Sequence, residues 1–135
     1  TAFSYLETNV KENNSSVKPV MADALKICDT FADGGLDLIV SNPPYIKSAD
    51  IETLQKEVQL EPRLALDGGE DGCDFYREIV NRWSRKLKKG GALAFELGEG
   101  QADAVKALMT EQGFSDFKIS LDFGGVQRAI IGTLL

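Results

Sequence analysis

The chain has 135 residues, 43% of them hydrophobic and 27% charged, with a formal net charge of −6, which predicts one globular domain or part of one. The acidic balance weighs against DNA or RNA as a partner, and the absence of histidine together with two distant cysteines weighs against a zinc or histidine-based site. The sequence has neither a run of about 18 apolar residues nor a leader-like segment, so we expect no membrane contact and a cytoplasmic location.

The first part of the chain alternates helical and extended patterns. Phe3, Leu6 and Val10 recur at the spacing of one helix face. The predicted elements are, in order, a helix over residues 2–13, a strand over 17–21, a short helix over 24–31 and a strand over 36–41. An apolar run at residues 38–40 indicates that the last of these strands is buried.

Asn42, Pro43, Pro44 and Tyr45 directly follow this strand. Pro43 has a fixed φ and biases Asn42 toward an extended conformation, so the Asn42 amide and two carbonyls are held out at the carboxyl end of the strand. Such ends carry the sites of open α/β sheets. A planar NH2 group needs two acceptors and a flat surface, which Tyr45 can supply. These residues predict a site for an amide or a base amine, the alternative being a turn that only ends the strand.

Two helices and three strands are predicted in the rest of the chain. Asp50 is the predicted N-cap of a short helix that reaches residue 57, and a long loop follows over 60–72. The later elements are a helix over 74–88, a strand over 93–97, a helix over 102–112, and strands over 117–121 and 129–135. Because the last two strands follow each other directly, they predict an antiparallel hairpin. The whole pattern predicts an α/β fold with a doubly wound sheet and one antiparallel strand near its edge.

The helix predicted over residues 74–88 has Asp74 as its cap and Gly90 and Gly91 as its end signal. Trp83 lies on its apolar face and is predicted to pack in the core rather than to bind a ligand. Five basic residues cluster near its end: Arg82, Arg85, Lys86, Lys88 and Lys89. We expect them to form a solvated turn that complements the helix dipole, rather than an RNA-binding patch.

Residues 37–46, Asp-Leu-Ile-Val-Ser-Asn-Pro-Pro-Tyr-Ile, resemble the substrate-binding motif of class I S-adenosylmethionine-dependent amino-methyltransferases. Further matching segments are Glu57-Val58, residues 61–66 and 68–72, Phe75-Tyr76-Arg77, and residues 87–91 and 95–98 with Gln101. Their order and spacing resemble the HemK/PrmC family of protein-(glutamine-N5) methyltransferases, which modify bacterial peptide chain release factors. The resemblance covers the chain from about Ala2 to its end.

The resemblance implies a partial Rossmann-like sheet. The strand order of the family is 3-2-1-4-5-7-6, and the predicted strands correspond to 3, 4, 5, 6 and 7. Residues 1–135 are therefore expected to be the carboxyl-terminal portion of one methyltransferase domain, without its first two strands, its glycine-rich cofactor loop and the preceding helical domain. The strand over 36–41 would then have an open edge, which makes a homodimer of this portion possible.

The resemblance also implies roles for individual residues. The Asn42 side-chain carbonyl and the Pro43 backbone carbonyl would accept the two N–H bonds of the substrate amide, with Pro44 and Tyr45 completing the substrate and catalytic set. S-adenosyl-L-methionine would be the cofactor, bound in part by Asn42 and Asp23. Asp23 could instead cap the helix that starts at residue 24.

Three other acidic or basic residues have less defined implied roles. Glu61 and Arg63 flank a proline in a segment that would support residues 42–45, although an exposed Glu–Arg pair stabilises little. Glu96 would end a central strand, where a buried acid needs a partner.

Three functions remain open from the sequence. The first is methyl transfer to a glutamine of a release factor, which would be the protein partner. The second is adenine N6-methylation of DNA or RNA. Enzymes of that class share only the motif at residues 42–45, so residues 61–72 discriminate between the first function and the second. The third is a non-catalytic module that folds and associates.

Overall fold

The computed structural model describes residues 2–135. Its helices are α1 (Ala2–Glu12), α2 (Ala24–Ile27), α3 (Lys56–Gln59), α4 (Arg63–Leu66), α5 (Asp74–Trp83) and α6 (Ala102–Glu111). Its strands are β1 (Leu36–Ser41), β2 (Leu87–Glu96), β3 (Phe114–Leu121) and β4 (Gln127–Leu134). Short 3-10 turns lie at Cys28–Thr30, Ile51–Thr53 and Ser84–Lys86. None of the described helices is long and apolar enough to cross a membrane.

The four strands form one mixed sheet in the order β1-β2-β4-β3. β1 is parallel to β2, β4 is antiparallel to β2, and β3 is antiparallel to β4. This order is that of strands 4, 5, 7 and 6 in the implied family fold. The predicted α/β class and the terminal antiparallel hairpin are both confirmed.

The core lies between one face of this sheet and the two longest helices after β1. Leu93 and Phe95 alternate toward this face along β2, as the period of two along a strand requires. Tyr76 from α5 meets the Phe95 ring edge-on, with centroids 5.2 Å apart, and Val105 from α6 is fully buried beside them. The core therefore fixes β2 and both helices as one block.

The strand predicted over residues 17–21 is wrong. These residues have no strand pairing, and Val17, Val20 and Met21 are exposed. A strand is stabilised by hydrogen bonds to a neighbour, and within residues 2–135 β1 pairs only with β2. An apolar run without such a neighbour stays irregular.

The segment after residue 50 differs from its prediction in two ways. The single helix expected up to residue 57 is a 3-10 turn at Ile51–Thr53 followed by α3, because Leu54 between them is extended. The Asp50 side chain makes no capping bond. The loop predicted over 60–72 contains the one-turn helix α4.

The helix predicted over residues 74–88 is shorter at its carboxyl end. α5 ends at Trp83, and the chain is already extended at Leu87, which pairs with Leu36 of β1. Gly90 and Gly91 therefore lie inside β2, next to an irregularity in its pairing with β1. Asp74 is the first residue of α5 rather than its cap. Strand pairing outweighs the local helical pattern here.

Trp83 and the basic cluster have structural contacts. The Trp83 indole donates to the carbonyl of Ala24 at 3.0 Å, and its ring packs on Phe31. Four of the five basic residues form ion pairs with acidic side chains: Arg82 with Glu78, Arg85 with Asp29, Lys86 with Asp33, and Lys88 with Asp37. Lys86 is only 3% exposed, so the prediction of a fully solvated turn is wrong for it. These contacts support a role in joining chain segments.

The two edges of the sheet differ in their protection. β3 carries Lys118 and a register shift, at which Asp116 has a φ of 52°, and both features disfavour pairing with a further strand. β1 has no charged residue after Asp37, and Leu38 and Val40 are 54% and 68% exposed. The β1 edge is open, as the sequence predicts.

We expect residues 1–135 in isolation to self-associate at micromolar concentration through this β1 edge. Val40→Lys places a charge on the edge and should raise the dissociation constant by roughly tenfold, or about 1.4 kcal/mol. Sedimentation equilibrium measures the change. Ser120→Lys on the protected β3 edge is the control and should have no effect. A monomeric wild-type chain would contradict the prediction.

Candidate functional site

The acceptor loop, residues 42–45, follows β1 at the carboxyl edge of the parallel strand pair. Asn42 is exposed and Pro43 is buried. Within residues 2–135, neither the Asn42 side chain nor the Pro43 carbonyl accepts a hydrogen bond. Both acceptors thus have no partner within the described chain, and their role toward a ligand stays a prediction.

The chain on the carboxyl side of the acceptor loop is fixed by a short parallel bridge between Ile46 and Asp67. Ile46 donates to the Leu66 carbonyl at 3.0 Å, and Gly68 donates to the Ile46 carbonyl at 2.8 Å. Gly68 packs so tightly that a Cβ there would lie 2.8 Å from the Tyr45 Cα and 2.9 Å from the Pro44 oxygen. Only glycine allows this approach between two backbones.

Tyr45 contacts the end of β2. Its hydroxyl donates to Glu96 Oε1 at 3.1 Å, which supplies the partner that the sequence requires for Glu96 but does not identify. Burial, followed by the bond to Glu96, raises the pKa of Tyr45. The hydroxyl therefore stays protonated near neutral pH and remains a donor. This bond holds the ring at the side of the acceptor loop.

Asp23 is the N-cap of α2, since its Oδ1 accepts from the amide of Leu25 at 2.9 Å. The capping alternative for this residue is thus confirmed. Asp23 also lines an open cleft of about 800 Å³ together with Asn42, Pro44 and Phe75. The structure brings together Asp23 and the acceptor loop, as the sequence predicts for a shared cleft.

A second cleft, of about 580 Å³, lies between Asn42, Glu96 and Arg128. Arg128 donates to Asp122 at 2.8 Å across the β3–β4 hairpin. That hydrogen bond, together with one from the Val126 amide, lowers the pKa of Asp122, so the pair is charged at neutral pH. Asn42 therefore lies where two clefts meet.

Sequence patterns do not identify Arg128, Asp122 or Gln101 as site residues. Arg128 and Asp122 reach the cleft only because β4 lies next to β2, which is a consequence of the order of the strands. Gln101 precedes α6, and its side chain reaches back to the acceptor loop, where it donates to the Tyr45 carbonyl at 2.9 Å. Its place among the residues that carry the family resemblance is the sequence signal that could have identified it.

The segment that contains Glu61 and Arg63 lies beside the acceptor loop, but these two residues do not form an ion pair with each other. Arg63 pairs with Asp67 at 3.0 Å, and Glu61 instead lines a groove with Asn42. Asp67 also accepts from Ser48 at 2.6 Å, and this bond is the main cause of its lowered pKa. Asp67 thus links this segment to the chain that follows the acceptor loop.

The chemistry of this site is that of fixed acceptors. Asn42 lines both clefts, Pro43 lines the groove that Glu61 shares, and neither acceptor has a partner within the described chain. No cluster of metal-ligating side chains is present in the described part of the chain. The arrangement can bind a planar group with two N–H bonds and hold its nitrogen between the clefts.

The chain is similar in sequence to curated bacterial enzymes. It is 49% identical over 107 residues to the release factor glutamine methyltransferase of Geobacter sulfurreducens, covering 78% of this chain and 38% of that protein. It is 35% identical over 131 residues to the release factor glutamine methyltransferase of Thermodesulfovibrio yellowstonii, covering 96% of this chain and 46% of the relative. The chain thus spans less than half the length of these relatives. No protein-family model matches it.

Solved structures share the fold. A methyltransferase from Pyrococcus furiosus aligns with a TM-score of 0.69 at 23% identity, over 97% of this chain and 56% of that one. The release factor-specific protein-(glutamine-N5) methyltransferase from Alicyclobacillus acidocaldarius aligns with a TM-score of 0.50 at 26% identity, over 82% of this chain and 54% of that one. A putative DNA modification methylase from Thermus thermophilus, complexed with S-adenosyl-L-methionine, aligns with a TM-score of 0.57 at 15% identity, over 84% of this chain and 51% of that one.

Gly68→Ala should destabilise the protein, because the added methyl group meets only backbone atoms of the acceptor loop and its neighbours. Overpacking of this kind costs about 1–3 kcal/mol in the free energy of unfolding, which urea denaturation measures. Gly124→Ala is the control, since its nearest new neighbour is an Asp122 side-chain oxygen at 3.2 Å. Equal stability of the two variants would contradict the packing described for Gly68.

Proposed function

The chain belongs to the release factor glutamine methyltransferase family, and from this premise we propose that it binds and orients the glutamine side chain that is methylated. We further propose that residues 1–135 form the carboxyl-terminal portion of the methyltransferase domain. The open edge of β1, where the family order places its first strand, supports this assignment.

One observation carries the proposal: the Asn42 side-chain carbonyl and the Pro43 backbone carbonyl belong to consecutive residues and are both unpaired within the described chain. A glutamine side-chain NH2 presents two donors in one plane, so the two acceptors match it in number and shape. Asn42 lines both clefts. The amide nitrogen of the bound glutamine can therefore face one cleft while the main chain of the substrate occupies the other.

The Asp23 cleft fits the adenine side of S-adenosyl-L-methionine. It is lined by the apolar residues Leu25 and Phe75, on which a flat base can lie, and by Asp23, whose carboxylate can accept a bond from an exocyclic amine. When bound, this cofactor supplies an electrophilic methyl group. The proposed cofactor-binding residues of this chain are thus Asp23 and Asn42.

The acceptor loop would promote the reaction by placement and by fixed dipoles. The lone pair of an amide nitrogen is delocalised and weakly nucleophilic. Two carbonyl dipoles directed at its N–H bonds favour the positive charge that develops on nitrogen as the new N–C bond forms. They also hold the nitrogen in line with the methyl group. We assign Glu96 to holding Tyr45, and the surplus proton of the product leaves to solvent after transfer.

Asn42→Ala in the complete enzyme should lower kcat for methylation of a release-factor glutamine by roughly 10²- to 10³-fold, by analogy with loss of one preorganised hydrogen bond. The affinity for S-adenosyl-L-methionine should fall much less than kcat, because Asp23, Leu25 and Phe75 keep the other contacts of the proposed cofactor cleft. Asn81→Ala removes an exposed amide of α5 and is the control, with kcat expected to stay at the wild-type value. Activity of Asn42→Ala within about threefold of wild type would reject the role of Asn42. Methylation of an adenine-containing oligonucleotide in place of glutamine would reject the proposed substrate.

Residues 1–135 in isolation should bind S-adenosyl-L-methionine weakly or not at all in isothermal titration calorimetry. The reason is that the Asp23 cleft offers only the adenine side of the proposed site, without a glycine-rich loop for the rest of the cofactor. The complete enzyme, titrated in the same buffer, is the control. Micromolar binding by the isolated chain would show that the cofactor site is placed wrongly.

A further inference from the structure

The side chain of Gln101 makes three hydrogen bonds to three separate chain segments. Its Nε2 donates to the carbonyls of Tyr45 at 2.9 Å and Gly72 at 3.2 Å. Its Oε1 accepts from the Gly98 amide at 3.0 Å, and it lies 3.3 Å from the Tyr76 hydroxyl, whose single proton is donated to the Glu96 carbonyl at 2.8 Å. Both N–H donors of the amide and its oxygen thus have partners inside the molecule.

The partners fix the orientation of this amide. The two carbonyls can only accept, and the Gly98 amide can only donate, so the nitrogen must face Tyr45 and Gly72. Among side chains only a carboxamide offers donors on one atom and an acceptor on the other in one plane. The arrangement also requires glycine at position 72, where a Cβ would lie 2.6 Å from Gln101 Nε2 and 2.5 Å from the Tyr45 oxygen.

Tyr45 is thereby held at two points. Gln101 holds its backbone carbonyl, and Glu96 holds its hydroxyl. Pro43 lies two residues before Tyr45 and has Pro44 between them, so the stiff backbone transmits the position of the Tyr45 carbonyl to the two acceptors. Gln101 itself is 9% exposed and lines neither the Asp23 cleft nor the Glu96 cleft.

We propose that Gln101 is a positioning residue for the acceptor loop: its amide sets where the Asn42 and Pro43 acceptors lie, without touching the substrate or the cofactor. This inference rests on the proposed function and adds to it the residue that aligns the acceptors. A displacement of about 1 Å at a reacting group lowers turnover by roughly 10²-fold, so the contact is expected to affect kcat rather than binding of the cofactor.

Gln101→Glu and Gln101→Met test this in the complete enzyme. Gln101→Glu keeps an oxygen for the Gly98 amide but directs a second oxygen at the two carbonyls. Only the protonated carboxyl can donate to Tyr45, and burial among acceptors favours that neutral form. Gln101→Met has a similar shape and no titratable group. Gln112→Glu, which changes an exposed amide at the other end of α6, is the matched control.

At pH 9, kcat for methyl transfer to a release-factor glutamine should fall roughly tenfold to a hundredfold in both Gln101 variants, with the dissociation constant of S-adenosyl-L-methionine within about threefold of wild type. As the pH falls toward 6, kcat of Gln101→Glu relative to Gln101→Met should rise, because protonation restores the donor to Tyr45. The titratable groups near this position are Tyr45, Tyr76, Glu96 and Cys73, and both variants retain them, so their ratio isolates the introduced carboxyl group.

Amide hydrogen exchange provides a second measurement that does not depend on catalysis. The amides of Ile46 and Gly68, which bond across the bridge beside Tyr45, should exchange faster in Gln101→Met than in wild type or in Gln112→Glu. Unchanged exchange, or wild-type kcat in both Gln101 variants at every pH, would overturn the positioning role. Wild-type enzyme that leaves the glutamine unmethylated would reject the proposed function, and the exchange rates would then decide the positioning role alone.

Discussion

The parallel pairing of β1 with β2 is the contact on which the position of the site depends, because β1 has no other strand beside it in the described chain. β2 is held by the core through Leu93 and Phe95, which lie among side chains of α5 and α6. Among the described strands, β2 alone holds β1 in place, and Leu36 and Ile39 of β1 also pack against the core. Since the acceptor loop directly follows β1, the same ladder of hydrogen bonds that extends the sheet also sets the origin of the loop.

The pairing of β1 with β2 fixes the position of Asn42 at the start of the acceptor loop, but it does not fix the path of the residues that follow. Polar contacts from distant parts of the sequence complete the placement: Glu96 at the end of β2, Gln101 before α6, and the bridge formed by Asp67. Glycine at positions 68 and 72 allows these segments to approach at backbone distance. No buried side-chain donor or acceptor is left unpaired among the described residues, whereas the exposed Asn42 side chain and the Pro43 backbone carbonyl accept no hydrogen bond there. The paired polar groups therefore hold the acceptor loop in place, and the unpaired carbonyls of Asn42 and Pro43 are the groups left free to accept a hydrogen bond from a ligand.

Much of this architecture follows from local patterns. The boundaries of β1, the helical character of residues 102–111 and the terminal hairpin are readable because each has its own periodicity and its own end signals. The secondary structure of residues 17–21 and 84–91 cannot be predicted from local patterns. The first segment has strand-forming residues but no pairing partner, and the second has helical spacing that strand pairing at Leu87 outweighs. The acceptor loop is predictable from its prolines, whereas Gln101 and Arg128 reach the site only through the tertiary arrangement.

The acceptor loop alone cannot distinguish a glutamine amide from an adenine amine, since both present two coplanar N–H donors. Under the proposed function, selection must come from the walls of the cleft that receives the rest of the substrate. One wall carries Glu96 and the Arg128–Asp122 pair, which suit the polar backbone of a peptide more than a negatively charged phosphate chain. On the other side, Leu60 and Leu64 are 86% and 81% exposed in the segment beside the loop and offer an apolar contact to a protein surface. Under the proposed function, the shared chemistry would thus reside in residues 42–45, and the choice of substrate class would reside in elements that only the fold brings next to them.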